Sequence, residues 1–127
     1  MARILVAEDE EALRALITRA LTDSGHEVVT AMDGADALDI LTRENGRFEL
    51  LLTDIKMPLM DGIALALATA RDHPRIIILL MTAYADQRER AANLDALVHD
   101  VILKPFTLAE IKSMVADALA TGKKTSK

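Results

Sequence analysis

Five side chains with the chemistry of a phosphate or metal site stand directly after short apolar runs. The runs are RILVA, LLLT, IIILLM and VIL, and the side chains that follow them are Glu8, Asp9, Asp54, Thr82 and Lys104. Carboxylates bind a hard divalent cation such as Mg²⁺, while an ammonium and a hydroxyl neutralise and hold a phosphate. Asp54 is the natural nucleophile of such a group, because an aspartate can form a covalent acyl phosphate.

Each of these residues also has an ordinary structural interpretation. Glu8 and Asp9 could be the acidic first turn of a helix, which the helix dipole favours. Asp54 could cap the following loop, Thr82 could be a solvated strand end, and Lys104 could lie in a solvated turn. The functional interpretation is favoured because the ordinary ones would all have to hold at once, at the ends of four of the five predicted strands.

The elements that must position these residues alternate along the whole chain. The predicted strands are residues 3–7, 27–31, 50–53, 76–82 and 101–103, with segments of helical periodicity between them. The third predicted helix is 62–71, the fourth runs from 86 to about 97, and the last opens with a capping box of Thr107 and Glu110. Continuously apolar strands are typical of a parallel sheet covered on both faces. The pattern predicts a doubly wound α/β fold, in which ligands bind at the carboxyl ends of the strands.

Composition narrows the possible functions. A chain of 127 residues suits one domain, and a net charge of −5 disfavours nucleic acid and anionic membranes as general partners. The chain has no cysteine, which excludes disulfides and thiolate metal sites. The longest apolar run is too short to cross a bilayer, and the acidic N-terminus does not suit a signal peptide, so a cytoplasmic location is expected.

The motifs AEDE, LLTDIKMPLMDG, MTAY and LKPF resemble those of the receiver domain of two-component response regulators, the family of the bacterial chemotaxis regulator. The resemblance extends over nearly the whole chain. It implies a flavodoxin-like fold, with a five-stranded parallel sheet in the order 2-1-3-4-5 and five helices. The receiver domain would occupy residues 1–121, followed by a short, basic, disordered tail at 122–127.

Carried over residue by residue, the resemblance implies a phosphoacceptor rather than an enzyme acting on other substrates. Asp54 would receive a phosphoryl group from a sensor histidine kinase or a histidine phosphotransfer protein. Lys104 would pair with that group, and Thr82 would move toward it and carry the fourth strand and its following loop. The bond between Lys104 and Pro105 would be cis.

The resemblance also implies a metal site and positions that modulate it. Mg²⁺, with Mn²⁺ possible, would be bound by Asp9, Asp54 and the backbone carbonyl of Lys56, and by Glu8 through a water molecule. The modulating positions would be Lys56, Ala83, Tyr84 and Pro105. Lys56 and Tyr84 would flank the route of attacking water, so Tyr84 is expected to screen the acyl phosphate.

The expected output surface is the face formed by the fourth helix, the fifth strand and the fifth helix, with Val101 and Phe106 among its residues. Two departures from the family pattern fall there. Val101 stands where an aromatic residue is usual, so rotation of an aromatic ring cannot carry the signal. Leu97 stands where a glycine often ends the fourth helix, so that helix is expected to end differently.

Several functions remain open at this point. The favoured one is a stand-alone regulator that binds a downstream protein when phosphorylated, as a monomer or a weak phosphorylation-dependent dimer. A relay that passes phosphate onward is an alternative. A phosphatase of the haloacid dehalogenase class is disfavoured, because Lys56 replaces the second aspartate such enzymes need. A nucleotide-binding module is disfavoured, because the loop after the first strand of this sequence has no glycine to admit a phosphate. A pure interaction module is also disfavoured, because it would need a broken acceptor site and all five site residues are present.

Overall fold

A computed structural model describes residues 1–94 and 96–125, which form one parallel sheet with helices on both faces. The strands are β1 (Arg3–Ala7), β2 (Glu27–Ala31), β3 (Leu50–Asp54), β4 (Ile77–Thr82) and β5 (Asp100–Leu103). The helices are α1 (Glu11–Asp23), α2 (Gly34–Arg43), α3 (Gly62–Asp72), α4 (Ala85–Ala92) and α5 (Leu108–Thr125). The strand order is β2-β1-β3-β4-β5 and every pair is parallel, which confirms the predicted doubly wound fold.

The core lies on both faces of the two central strands. Every residue of β3 and β4 is buried, as the unbroken apolar runs predict. On one face α1 and α5 pack against the sheet through side chains such as Ile17 and Val115. On the other face α2 and α3 pack through Leu41 and Leu65, and a further cluster lies beneath α4. This packing fixes the carboxyl ends of β1, β3, β4 and β5 along one edge.

The fourth helix is shorter than the sequence predicts. It ends at Ala92, not near residue 97, and the chain continues in turns closed by the N–H groups of Leu97 and Val98 on the carbonyl of Leu94. Those turns bring Val98 into the core, where it is 5% exposed. The predicted end is therefore wrong, because burial of Val98 outweighs the helical periodicity of a largely polar segment.

The start of α5 agrees with the prediction. The Glu110 N–H donates to Thr107 Oγ1 at 3.0 Å, and the Thr107 N–H donates to Glu110 Oε1 at 2.8 Å, which is the reciprocal capping box. The helix continues to Thr125, beyond the domain boundary expected at residue 121. Residues 126 and 127 lie outside the described residues, so the boundary and the disordered tail remain predictions.

Within the described part of the chain, no helix combines the length and hydrophobicity that crossing a membrane would require.

Candidate functional site

The ends of β1, β3 and β5 bring four of the predicted site residues together. Glu8, Asp9 and Asp54 each place a carboxylate oxygen within 4.8 Å of the other two. The Lys104 ammonium lies 3.0 Å from Glu8 Oε1 and 3.3 Å from Asp54 Oδ2. Three carboxylates and one ammonium therefore share this edge of the sheet, as expected from parallel strands that end side by side.

Backbone donors hold two of these carboxylates in place. Asp54 is the last residue of β3 and is 7% exposed, and its Oδ1 accepts a hydrogen bond from the Ile55 N–H at 3.1 Å. Glu8 is fully buried, and its Oε2 accepts from the Glu10 N–H at 3.0 Å. Asp9, in contrast, is exposed to solvent at the mouth of the cluster. The buried pair is rigidly oriented, and Asp9 completes the group from outside.

Burial is the largest single influence on the pKa values of Asp54, Glu8 and Lys104 in the cluster. Burial raises the pKa of Asp54, the positive charge of Lys104 opposes that rise, and the charge of Asp9 adds to it. Burial also raises the pKa of Glu8, against the hydrogen bonds from Glu10 and Lys104. Burial lowers the pKa of Lys104. The hydrogen bond to Glu8 and the attraction of Asp54 outweigh this effect, so the pKa of Lys104 is raised. The single ammonium thus compensates the carboxylates only in part.

The donor set fits a hard divalent cation. The ligand atoms are all carboxylate oxygens, which Mg²⁺ and Mn²⁺ accept and which offer nothing to a metal that prefers sulfur or nitrogen. An open cavity of about 500 Å³ adjoins them. The residues that line it are Asp9, Glu10, Asp54, Lys56, Met57, Pro58, Ala83, Tyr84 and Lys104. Lys56, whose carbonyl is an expected metal ligand, is one of these lining residues.

The loop between β3 and α3 is held tightly against the phosphoacceptor candidate. The Gly62 N–H donates to the Ile55 carbonyl at 2.7 Å, and a Cβ atom at Gly62 would collide with the carbonyl oxygen of Asp54. Asp61 caps α3, since its Oδ1 accepts from the Ala64 N–H at 2.8 Å. Only glycine permits this close approach of α3 to Asp54.

Thr82 lies at the same edge, but its hydroxyl is bound elsewhere. The residue is 1% exposed, its hydroxyl donates to Gln87 Oε1 at 2.8 Å, and Oγ1 accepts from the Tyr84 N–H at 3.1 Å. The Lys104 N–H donates to the Thr82 carbonyl at 2.8 Å, which joins the ends of β4 and β5. Gln87 was not among the predicted site residues, because no motif marks a helical glutamine whose partner depends on tertiary packing.

Three of the four expected modulating positions, Lys56, Ala83 and Tyr84, line the cavity, and Pro105 does not. The Lys56 ammonium lies over the Tyr84 ring, 5.1 Å from its centroid, and both residues line the cavity with Ala83. This contact is a cation–π interaction that the sequence did not predict. The bond between Lys104 and Pro105 is cis, as the resemblance implies.

The two residues expected on the output face pack on opposite sides of the sheet. Val101 pairs with Leu80 in the register of β4 and β5, and it packs against the cluster that contains Ala91 and Val98. Phe106 packs against the other cluster, beneath α1 and α5.

Comparison with known proteins agrees with this geometry. The sequence model of the family described as response regulator receiver domain matches residues 4–116 of this chain. Response regulator MprA of Mycobacterium sp. (strain KMS) is 37% identical over 109 residues, which cover 86% of this chain and 46% of that protein. Transcriptional regulatory protein PrrA of Mycobacterium tuberculosis is 37% identical over 113 residues, covering 89% of this chain and 48% of that protein. The chain spans about half the length of these curated relatives.

Solved structures give the same result. A CheY-like response regulator receiver domain protein from Methanospirillum hungatei superposes with a TM-score of 0.88 at 27% identity, covering 98% of both chains. Response regulator TrrA from Thermotoga maritima, solved in complex with Mg²⁺ and BeF, has a TM-score of 0.81 at 31% identity and covers 92% of this chain and 98% of its own. The match over residues 4–116 and these relatives identify the chain as a member of the response regulator receiver domain family.

Proposed function

We propose that this domain accepts a phosphoryl group on Asp54 from a phosphorylated histidine of a sensor kinase or phosphotransfer protein. The observation that carries the proposal is the cluster of Glu8, Asp9 and Asp54 with the Lys104 ammonium between two of them. Its position beside an open cavity gives a donor access to Asp54. Membership of the receiver family supports the same role.

The residues of the chain have distinct parts in the transfer. A carboxylate oxygen of Asp54 attacks the phosphorus, a P–O bond forms, and the P–N bond of the donor breaks with its electron pair left on the histidine nitrogen. The Ile55 N–H fixes the orientation of the Asp54 carboxylate through Oδ1. The Lys104 ammonium, already beside Asp54, neutralises charge on the transferred group. Hydrolysis ends the signal when water attacks the same phosphorus and releases the carboxylate.

The metal would be held by Asp9, Asp54 and the carbonyl of Lys56, with Glu8 acting through water. When bound, Mg²⁺ would supply the positive charge that lets three carboxylates and a phosphoryl group share one small volume. Glu8 also retains Lys104 at the site through their 3.0 Å ion pair.

The output follows from the charge that is added. Phosphorylation adds roughly −1.5 to −2 charges and three strong acceptors to a buried edge of the sheet. We infer that the response appears on the face of α4, β5 and α5, and that a downstream protein binds there.

Intact mass after incubation with acetyl phosphate and Mg²⁺ tests the proposal. The wild type should gain one phosphoryl group, and the gain should vanish in Asp54→Asn and in the presence of EDTA. Asp39→Asn is the matched control, since Asp39 is an exposed aspartate of α2. Fast hydrolysis could hide the adduct, so beryllofluoride-induced NMR shifts are measured in parallel. A wild type with neither an adduct nor a shift would exclude the phosphoacceptor function.

A further inference from the structure

The hydroxyl proton of Thr82 already takes part in a hydrogen bond in this structure. A hydroxyl donates a single hydrogen bond, and that of Thr82 goes to Gln87 Oε1 at 2.8 Å. Oγ1 also accepts the Tyr84 N–H, so the hydroxyl is held from both sides within a site that is 1% exposed. A phosphoryl oxygen on Asp54 can therefore receive this proton only if Gln87 loses it.

Gln87 is the side chain that attaches α4 to the sheet. Among the described residues of α4, it alone makes a side-chain hydrogen bond to a strand, and only Ala91 is a buried side chain. The N-cap residue, Tyr84, makes no side-chain capping bond. Among the described side chains of the first turn of α4, this hydrogen bond is therefore the one polar contact with the sheet.

We propose that Gln87 is a positioning residue that holds Thr82 and α4 in the unphosphorylated arrangement. A phosphoryl group on Asp54 competes with Gln87 for the Thr82 proton, and loss of the Thr82–Gln87 bond releases the first turn of α4. This proposal rests on the proposed phosphoacceptor function, and it adds the route by which that site controls α4. No covalent step is involved, because one hydrogen bond replaces another.

The route continues to the output face without an aromatic residue. Ala91 of α4 lies in the same cluster as Val98 and Val101, and Val101 is paired with Leu80 on β4. Movement of α4 therefore changes the packing around Val101 directly. Val101, which stands where an aromatic residue is usual in the family, would therefore transmit the movement of α4 through its packing.

Hydrogen exchange of the unphosphorylated protein tests the hydrogen bond itself. Gln87→Met keeps the length and helix propensity of the side chain and removes its acceptor. Amides that donate to the carbonyls at the start of α4, beginning with the Arg88 N–H on the Tyr84 carbonyl, should therefore exchange faster. Gln87→Glu keeps an acceptor and should restore slow exchange. Arg90→Met, at an exposed position of the same helix, is the control for a methionine substitution. In a Thr82→Val background, Gln87→Met should have no further effect.

Titration with beryllofluoride and Mg²⁺, followed by NMR, tests the competition. Gln87→Met should bind about threefold to tenfold more tightly than the wild type, the range expected for one neutral hydrogen bond that need not be broken. Gln87→Glu should bind more weakly, because a carboxylate is a stronger acceptor for the Thr82 proton.

The outcomes separate the two proposals. Unchanged exchange in Gln87→Met overturns the positioning role whatever beryllofluoride does, and faster exchange with an affinity equal to that of the wild type overturns the competition for the Thr82 proton. A wild type that shows no Mg²⁺-dependent beryllofluoride binding overturns the phosphoacceptor function and with it the competition, even where exchange shows that Gln87 holds α4.

Discussion

The Lys104 ammonium lies 3.0 Å from a carboxylate oxygen of Glu8, a fully buried residue 96 positions away in the chain. The same ammonium lies 3.3 Å from Asp54. Lys104 therefore contacts two carboxylates before any phosphoryl group arrives, and an incoming phosphate competes with Glu8 for it. We therefore expect Lys104 to contribute to folding as well as to the proposed phosphotransfer.

Replacement of Lys104 by methionine should lower both stability and phosphorylation. We expect the free energy of unfolding to fall by about 1–3 kcal/mol, because the buried Glu8 carboxylate loses its charged partner. Because Mg²⁺ replaces the missing positive charge, it should stabilise the variant more than the wild type. Urea unfolding with and without Mg²⁺ measures both effects. Lys112→Met, an exposed lysine of α5, is the matched control, and equal stabilities of the two variants would contradict the prediction.

Substitution of Asp9 by asparagine should have opposite effects on the stability of the fold with and without metal. Without Mg²⁺ the variant should be more stable than the wild type, since the charge of Asp9 disfavours ionised Asp54. With Mg²⁺ the order of the two stabilities should reverse. A ligand that binds only the folded state stabilises it, and the wild type, which keeps the Asp9 carboxylate, should bind Mg²⁺ more tightly. Thermal unfolding in EDTA and in excess Mg²⁺ tests this. An equal response to Mg²⁺ in both proteins would show that Asp9 is not a ligand.

Loss of the Tyr84 ring should shorten the lifetime of the acyl phosphate. The ring and the Lys56 ammonium above it line the cavity beside Asp54, on the expected route of attacking water. Tyr84→Ala should hydrolyse faster than the wild type, while Tyr84→Phe should keep the cation–π contact and the slow rate. Loss of phosphate after removal of acetyl phosphate gives the rates. An alanine variant as slow as the wild type would refute the screening role.

The stability of the fold should fall in acid partly through His26, far from the site. Its Nδ1 accepts the Ala2 N–H at 3.1 Å, which a protonated nitrogen cannot do. Burial lowers the pKa of His26 from its ordinary value of 6.5, the N-terminal charge lowers it further, and Glu49 opposes both. Because the folded-state pKa lies below the unfolded-state value, the unfolded chain binds this proton more readily. The contribution is complete above the unfolded-state pKa and is lost as the pH falls through the folded-state pKa.

His26→Asn keeps an acceptor near the position of Nδ1 and removes the titration. Urea unfolding from about pH 7.5 to about pH 5.5 brackets the ordinary histidine range. The wild type should lose more stability than the variant over this interval. Parallel losses in the two proteins would show that His26 does not couple to folding.

The sequence was sufficient to predict the fold and the convergence of Glu8, Asp9, Asp54 and Lys104, because each lies at the carboxyl end of a strand and parallel strands end at one edge. Local periodicity failed for the end of α4, where burial of Val98 redirects the chain. The partners of Thr82 and Tyr84 could not be predicted either. Those contacts depend on how a short, weakly packed helix lies against the sheet, which no motif encodes.

Gly62 has a consequence for the direction in which the domain can respond. Its missing side chain lets the start of α3 press against the Asp54 backbone, so a shift of one displaces the other at a steric cost. The opposite flank of the site, at α4, has no such constraint among the described residues. We therefore expect the added charge of a phosphoryl group to displace α4 rather than the start of α3.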